Sequence, residues 1–328
     1  MSMDFDLGPP AARPASPIAD LSYRGYDGPL STRLFRWWIV ALAGIRLNLK
    51  KPWFWVLAGL CLFPYLFQGI TLLSNADRTL QALMGGNAPE ARYTQAFFNA
   101  FSGQQFLLFI TALLVGASSI AADNRANALL VYLSRPITKN DYLAGKWVGV
   151  FLPVFVVAFF PALLLYLFCL VSYTSEGFWR DDPWLLGRIV LACAIAGAIH
   201  ASLLLGCSSW SKTPRMAGAI YAALYLVSGI VAGIAGSITT VFSGSSEEAA
   251  REILVTHLSI GGVITGLAQN VYHLTLQSMR FNRRAMQPVH LELAPPAFWV
   301  MLGLGLAMVV VGLAATRMRI RAVEVVRG

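Results

Sequence analysis

Six long apolar segments are the feature of this chain that most restricts its fold. They cover approximately residues 53–73, 106–122, 147–172, 185–210, 216–242 and 298–316. A helix needs about 20 apolar residues to cross the hydrocarbon core of a bilayer. Of the 328 residues, 57% are hydrophobic and 12% are charged, whereas soluble domains carry about 25% charged residues. The sequence therefore predicts an all-α polytopic membrane protein with six transmembrane helices.

The region before the first apolar segment divides into two parts. Residues 1–29 are polar and rich in proline, which predicts a disordered tail ahead of a transmembrane domain at 30–328. Between Leu34 and Leu49 the chain combines arginines with tryptophans and other bulky apolar residues, and Pro52 then interrupts the helical pattern. This pattern is typical of an interfacial helix that lies in the headgroup plane, and a continuation of the first span is the alternative.

The distribution of cations predicts the topology. With the N-terminus in the cytoplasm, 17 of the 25 Lys and Arg residues lie on the inside and seven lie in the longer outside segments. The inside segments are then 1–52, 123–146, 211–215 and 317–328. This arrangement satisfies the positive-inside rule, so both termini are expected in the cytoplasm. The net charge of +9 is explained by this topology, without a nucleic-acid partner.

One further segment, residues 258–277, is long enough to cross a membrane. Its second half contains Gln269, Asn270 and His273, which are costly in lipid. We therefore expect a re-entrant or interfacial helical hairpin on the outer face, and a seventh span is the alternative. A seventh span would place the cations at the C-terminus outside, against the positive-inside rule.

The apolar segments offer little chemistry. His200 lies in the middle of the fourth segment without a carboxylate nearby in the sequence, so we expect it to be packed and hydrogen-bonded. The lack of buried carboxylates argues against a proton-coupled carrier. No phosphate-binding loop or H-E-x-x-H motif is present, and Ser208, Ser209 and Ser211 lack a plausible His–Asp pair. We expect no catalytic residue, no metal site and no cofactor in this chain.

Residues 123–146, which we call the elbow, connect the second and third apolar segments. A first short helix is expected from Asp123, with Leu129, Leu130 and Leu133 on one face. Pro136 would end that helix, because the residue before a proline is pushed out of the α region. Thr138 and Asp141 have the spacing of a capping box that would begin the next helix.

The elbow resembles the first cytoplasmic loop in the permease subunits of bacterial type 2 ABC exporters. The matching residues are Asp123, Leu129, Leu130, Ser134, Pro136, Gly145 and Lys146. The resemblance implies a coupling helix that docks on a separate cytoplasmic ATPase, which would bind ATP and Mg²⁺. It also implies a second permease copy, a location in the bacterial inner membrane and short outer helices before the sixth span.

Two other interpretations remain open from the sequence. The elbow could be an amphipathic connector lying on lipid headgroups. The chain could also be a non-transporting structural or assembly subunit of a larger membrane complex. If the chain is a transporter, its uncharged spans suit an apolar or amphipathic substrate better than a small ion.

Overall fold

The computed structural model describes residues 36–74, 92–126, 138–242, 255, 257–282, 287–293 and 295–319. In chain order, the helices within these residues are α1 (Arg36–Leu49), α2 (Pro52–Leu60), α3 (Phe63–Ser74), α4 (Arg92–Gly116), α5 (Ser118–Arg125), α6 (Lys139–Ser172), α7 (Phe178–Asp181), α8 (Leu185–Trp210), α9 (Pro214–Phe242), α10 (Ile260–Tyr272) and α11 (Phe298–Arg319).

Six stretches of these helices are long and apolar enough to cross a membrane, which confirms the six-span prediction. The first span is α2 with α3, the second is α4 with α5, and the others are α6, α8, α9 and α11. The fourth span has the predicted limits. The second span begins earlier than predicted, at Arg92, because its polar first turns are buried against the chain between the third and fourth spans.

Helix α1 is separate from the first span. Lys51 has an extended backbone (φ −88°, ψ 125°), and Pro52 is the first residue of α2. Proline suits this position because it has no N–H to leave unpaired. The first span is therefore not a continuation of α1, whereas the interfacial position of α1 stays a prediction.

The segment before the sixth span differs from the predicted helical hairpin. It contains one helix, α10, of 13 residues, or about 20 Å, which is too short to cross the hydrocarbon core. After His273, which ends α10 in the left-handed conformation, the chain forms strands β1 (Leu276–Asn282) and β2 (Gln287–Leu293). The strands pair antiparallel, with Leu276 opposite Leu293. The expected second helix is thus a β-hairpin, and the seventh-span alternative is wrong.

The contacts between span ends confirm that successive spans run in opposite directions. At one end of the bundle, Lys146 contacts Asp123, Asn124 contacts Ser209, and Trp210 contacts Ala315. We call this the elbow end.

At the opposite end, Arg92 donates to the Leu72 carbonyl, and Thr94 donates to Asp182. Asp182 also pairs with Arg188 at 2.6 Å. Helix α10 belongs to this end, because Tyr272 packs edge-on against Phe98 in α4.

Helix α8 is at the centre of the bundle and is the most buried span. It contacts α4, α5, α6, α9, α10 and α11. Its closest neighbour is α11, because Gly206 and Gly312 face each other where the two helices cross. Small residues at such a crossing let helix backbones approach closely, and van der Waals packing then holds the helices together in lipid.

This crossing predicts a site-specific loss of stability. A Cβ at Gly312 would overlap the Ser202 carbonyl oxygen, whereas a Cβ at Gly303, in the same helix, would meet nothing within 4 Å. Gly312→Ala should lower the free energy of unfolding by about 2 kcal/mol through overpacking. Gly303→Ala should be neutral or stabilising, because alanine favours helix. Unfolding in detergent micelles measures the free energy of unfolding of both variants. Equal values would contradict the close packing of α8 and α11 at Gly312.

Candidate functional site

The structure describes both flanks of the elbow. Asp123, Gly145 and Lys146 lie within the described residues, in α5 and α6. The other residues predicted for the site, which lie at positions 127–137, are outside them: Leu129, Leu130, Leu133, Ser134 and Pro136. The docking face of the elbow therefore stays a prediction, and the geometry concerns its base.

An ion pair joins the two flanks of the elbow. Lys146 Nζ lies 2.7 Å from Asp123 Oδ2, and the Tyr142 hydroxyl donates to the same oxygen at 2.7 Å. Lys146 also donates to the Ser119 carbonyl at 2.7 Å. The charged side chains are only 14% and 15% exposed, and Tyr142 is fully buried. Removing either charge would leave a poorly solvated partner, so the pair fixes α5 against α6.

The position of Asp123 corrects one sequence prediction. We expected Asp123 to begin a helix, but it lies near the C-terminal end of α5, which ends at Arg125. A carboxylate gains nothing from the helix dipole at that end. Its stabilisation comes from Tyr142 and Lys146, which lie in the first two turns of α6 and reach it only when α5 and α6 pack together.

The start of α6 agrees with the predicted capping box. The Asp141 N–H donates to Thr138 Oγ1 at 3.1 Å, and the Thr138 N–H donates to Asp141 Oδ2 at 3.1 Å. These bonds satisfy backbone donors that a helix N-terminus leaves without partners. They fix where α6 begins and therefore how the chain leaves the elbow.

Gly145 allows α1 to pack against α6. A Cβ at this position would lie 2.6 Å from both the Trp37 carbonyl oxygen and Val40 Cβ. One turn later, Gly149 lies against Ala41 in the same way. The helix that precedes the first span is thus in direct contact with the base of the elbow. A cavity of about 120 Å³ lies beside this contact, with Asp123 and Lys146 in its wall.

Ser208 of α8 closes a break between α4 and α5. In an unbroken helix the Ala121 N–H would donate to the Ala117 carbonyl. Here the Ser208 hydroxyl stands between these groups: it accepts from the N–H groups of Ile120 and Ala121 at 3.1 and 2.9 Å, and it donates to the Ala117 carbonyl at 3.0 Å. A side chain inserted into the backbone ladder is a recognised cause of helix kinks.

Helix α5 caps α8 in return. Asn124 Nδ2 donates to the Ser209 carbonyl at 3.1 Å and to the Ser211 carbonyl at 3.4 Å. The last carbonyls of a helix have no partner within the helix, so this amide supplies one from another span. We refer to the bonds made by Ser208 and Asn124 together as the reciprocal cap. It attaches the last helix before the elbow to the most buried span.

Sequence reasoning missed three residues of this base: Asn124, Tyr142 and Ser208. Asn124 and Tyr142 could have been predicted to take part, since their side chains are polar and they lie about one turn or less from Asp123 and Lys146. Ser208 was considered only as a nucleophile, and its hydroxyl instead makes three backbone hydrogen bonds. Ser209 and Ser211 donate to carbonyls of their own helix, those of Gly206 and Cys207.

His200 is packed and hydrogen-bonded. It is fully buried, and its Nδ1 shares a short hydrogen bond with the Tyr221 hydroxyl of α9. The ring of Tyr225 lies next to it and stacks on Phe109 of α4, with centroids 4.1 Å apart. His200 therefore contributes to the contact between the fourth and fifth spans.

A wide apolar groove runs along α9. It has a volume of about 620 Å³, which lies within the range of small-molecule sites. Its walls include Leu224, Val227 and Val231 from α9, and Val255 and Leu258 from the chain before α10. Its serine, Ser228, accepts from the Ile260 N–H and donates to the Tyr225 carbonyl. The groove therefore suits hydrocarbon rather than a charged group.

The ion pair at the base of the elbow predicts a coupling energy between two residues. Asp123→Ala and Lys146→Met should each lower the free energy of unfolding by about 2 kcal/mol, because each leaves a partly buried charge without its partner. The double variant should lose clearly less than the sum of the single losses. Unfolding in detergent micelles measures this cycle, with the exposed Lys139→Met as a neutral control. Strictly additive losses would mean that the pair contributes nothing.

Comparison with known protein families accounts for almost the whole described chain. The profile of the ABC-2 family transporter proteins matches residues 38–320, from α1 through α11. A comparison with curated proteins found no significant match. The matched residues include the complete base of the elbow and all six spans. The chain therefore belongs to the ABC-2 transporter family, as a membrane-spanning permease subunit.

Proposed function

We propose that this chain is the permease of a bacterial ATP-driven exporter and that the elbow transmits the movement of a separate cytoplasmic ATPase. The observation that carries the proposal is the joined base of the elbow. One ion pair connects its two flanks, and the reciprocal cap connects the first flank to α8. In this proposal the partner ATPase binds ATP and Mg²⁺, and this chain binds neither.

The base of the elbow is suited to transmit a push. Helix α5 has only eight residues, and side chains from α6 and α8 hold it on two sides. A force applied between residues 126 and 138 would therefore act on the third and fourth spans together. An amphipathic connector that merely lay on headgroups would not need such attachments.

The groove along α9 supports an apolar or amphipathic substrate. A buried charge in a bilayer must be paired or neutralised, and the described residues of the groove walls include no charged side chain for that purpose. An acyl chain or another hydrocarbon group would bring no charged or polar group that needs a partner in the groove. We propose this class of substrate and the outward direction of transport.

The fifth span also offers a face for a second permease copy. Its exposed side chains include Leu224, Val227, Ile230, Val231 and Ile234, each at least half exposed. Lipid can cover such a face in a single chain. In a dimer, the same face and its groove would lie between the two copies, where a substrate path is required.

The topology gives a direct test of which end faces the cytoplasm. Single cysteines would be placed in a cysteine-free background at two exposed positions, Lys139→Cys at the elbow end and Ser175→Cys at the opposite end. An impermeant maleimide applied to intact cells should label only position 175. Labelling of position 139 alone would place the elbow outside and remove any contact with a cytoplasmic ATPase.

Coupling is tested by changing the predicted docking face. The double change Leu129→Ala with Leu130→Ala should weaken ATPase binding by about 2 kcal/mol or more, because truncated anchors at docked interfaces commonly cost that much. Pull-down of the ATPase and transport in reconstituted vesicles measure the effect, with Lys139→Ala as a control at the exposed start of α6.

Ser208→Ala separates transmission from docking. This variant should bind the ATPase normally, because Ser208 is buried below the elbow, but it should transport less substrate per ATP hydrolysed. Ser208→Thr keeps the hydroxyl and should restore much of the transport per ATP hydrolysed.

If the variant with Leu129→Ala and Leu130→Ala binds the ATPase and transports like the wild type, the elbow is only a connector.

A further inference from the structure

The corner between α1 and α2 carries a concentration of positive charge. Arg46, Lys50 and Lys51 lie within six residues, and the chain contains no Asp or Glu between Gly28 and Ala76. Arg46 and Lys50 are exposed, and they are one helical turn apart, so they lie on the same side of α1. Among the described residues, no carboxylate forms a salt bridge with any of the three cations.

The corner is an ordered structure rather than a loose linker. Lys51 donates to Asn48 at 3.3 Å, and its ammonium group lies 5.4 Å from the centre of the Trp53 ring. Trp55 donates to the Leu49 carbonyl at 2.9 Å and so satisfies the end of α1. Partial burial lowers the pKa of Lys51, which means that its charge is incompletely solvated by water.

The position of the corner places these cations at the surface of the bilayer. Pro52 begins the first span, so Lys50 and Lys51 lie directly at its end. Helix α1 is held in place by Val40 and Ala41, which are buried against α6. The exposed large apolar side chains of α1 and the start of α2 are Trp38, Ile39, Leu47, Leu49 and Trp55, of which the last three are near the cations in the chain. Cations next to exposed apolar and tryptophan side chains are the usual arrangement at the headgroup level.

The described acid that shares a cavity with the end of α1 does not neutralise the corner. Asp123 lines the cavity that also touches Leu47 and Asn48, but its charge is already balanced by Lys146 at 2.7 Å. Within the described part of the chain, three cations therefore face the interface without a carboxylate in a salt bridge with them. A phosphate group would provide an anion, and the arginine would bind it through more than one hydrogen bond.

We propose that the α1–α2 corner is a binding site for an anionic phospholipid. The headgroup phosphate binds Arg46 and Lys50, with Lys51 at its side, and the acyl chains lie along Leu47, Leu49 and Trp55. Because α1 packs on Gly145 and Gly149 of α6, the lipid would bind the outer side of a helix that contacts the base of the elbow. The site does not depend on the identity of the substrate or of the ATPase.

The test measures lipid retention by the full-length protein. The protein would be purified in a neutral detergent, titrated with phosphatidylglycerol or phosphatidylcholine, and examined by native mass spectrometry. Wild type should retain phosphatidylglycerol preferentially. Each cation near a membrane surface changes affinity by about fivefold, so Arg46→Gln with Lys50→Gln should weaken retention by roughly 30-fold.

Two further variants separate a site from general attraction. Lys212→Gln with Arg215→Gln removes the same charge from the exposed α8–α9 loop and the first turn of α9, at the same end of the bundle, and should leave retention unchanged. Arg46→Lys with Lys50→Arg keeps the charge and should keep the preference for phosphatidylglycerol. Unfolding temperatures would confirm that all variants are folded.

Three results would overturn the proposal. Equal losses in the two Gln double variants would show that net charge alone attracts the lipid. Equal retention of phosphatidylglycerol and phosphatidylcholine by the wild type would show that there is no anion preference. Displacement of the lipid by millimolar glycerol phosphate would show a site for a free phosphate rather than for a phospholipid.

Discussion

A chain inside a bilayer must satisfy its own backbone N–H and C=O groups, because the hydrocarbon core contains no water to do so. In this protein, side chains from other helices form hydrogen bonds with backbone groups at several places where a helix breaks or ends. Ser208 closes the break between α4 and α5, and Asn124 caps the end of α8. At the opposite end, Arg92 caps the last turn of α3. These bonds determine which spans are attached to each other.

This constraint explains why the elbow is joined to the fourth span. An interruption between α4 and α5 costs free energy unless its groups are satisfied, and Ser208 removes that cost only while α8 stays in contact. The interruption therefore serves as an attachment point. Helix α8 is also held to α11 through the glycine crossing, so displacement of α5 would reach the sixth span as well. The transmission proposed for the elbow requires connections of this kind.

The errors in the sequence predictions concern where helices end. Asp123 was placed at a helix start because the helix dipole favours an anion there, but it lies near the end of a helix that continues to Arg125. The carboxylate is stable there because Lys146 and Tyr142 come from another helix. The β-hairpin before the sixth span was missed because only Leu276 and Gln277 of its strands lie within the segment 258–277, which was interpreted by its apolar first half. In the structure, His273 ends α10 in the left-handed conformation.

The sequence alone determined the number of spans, the separation of α1 by Pro52 and the start of α6 at Thr138. These features depend on the length of apolar runs and on bonds between residues close in the chain. The tertiary structure decided the partner of Asp123, the insertion of Ser208 and the contact of α1 with Gly145. Each of these depends on which distant segments meet in the bundle. Local sequence patterns cannot specify these tertiary contacts, because helix packing in lipid depends on the fit between whole helix surfaces.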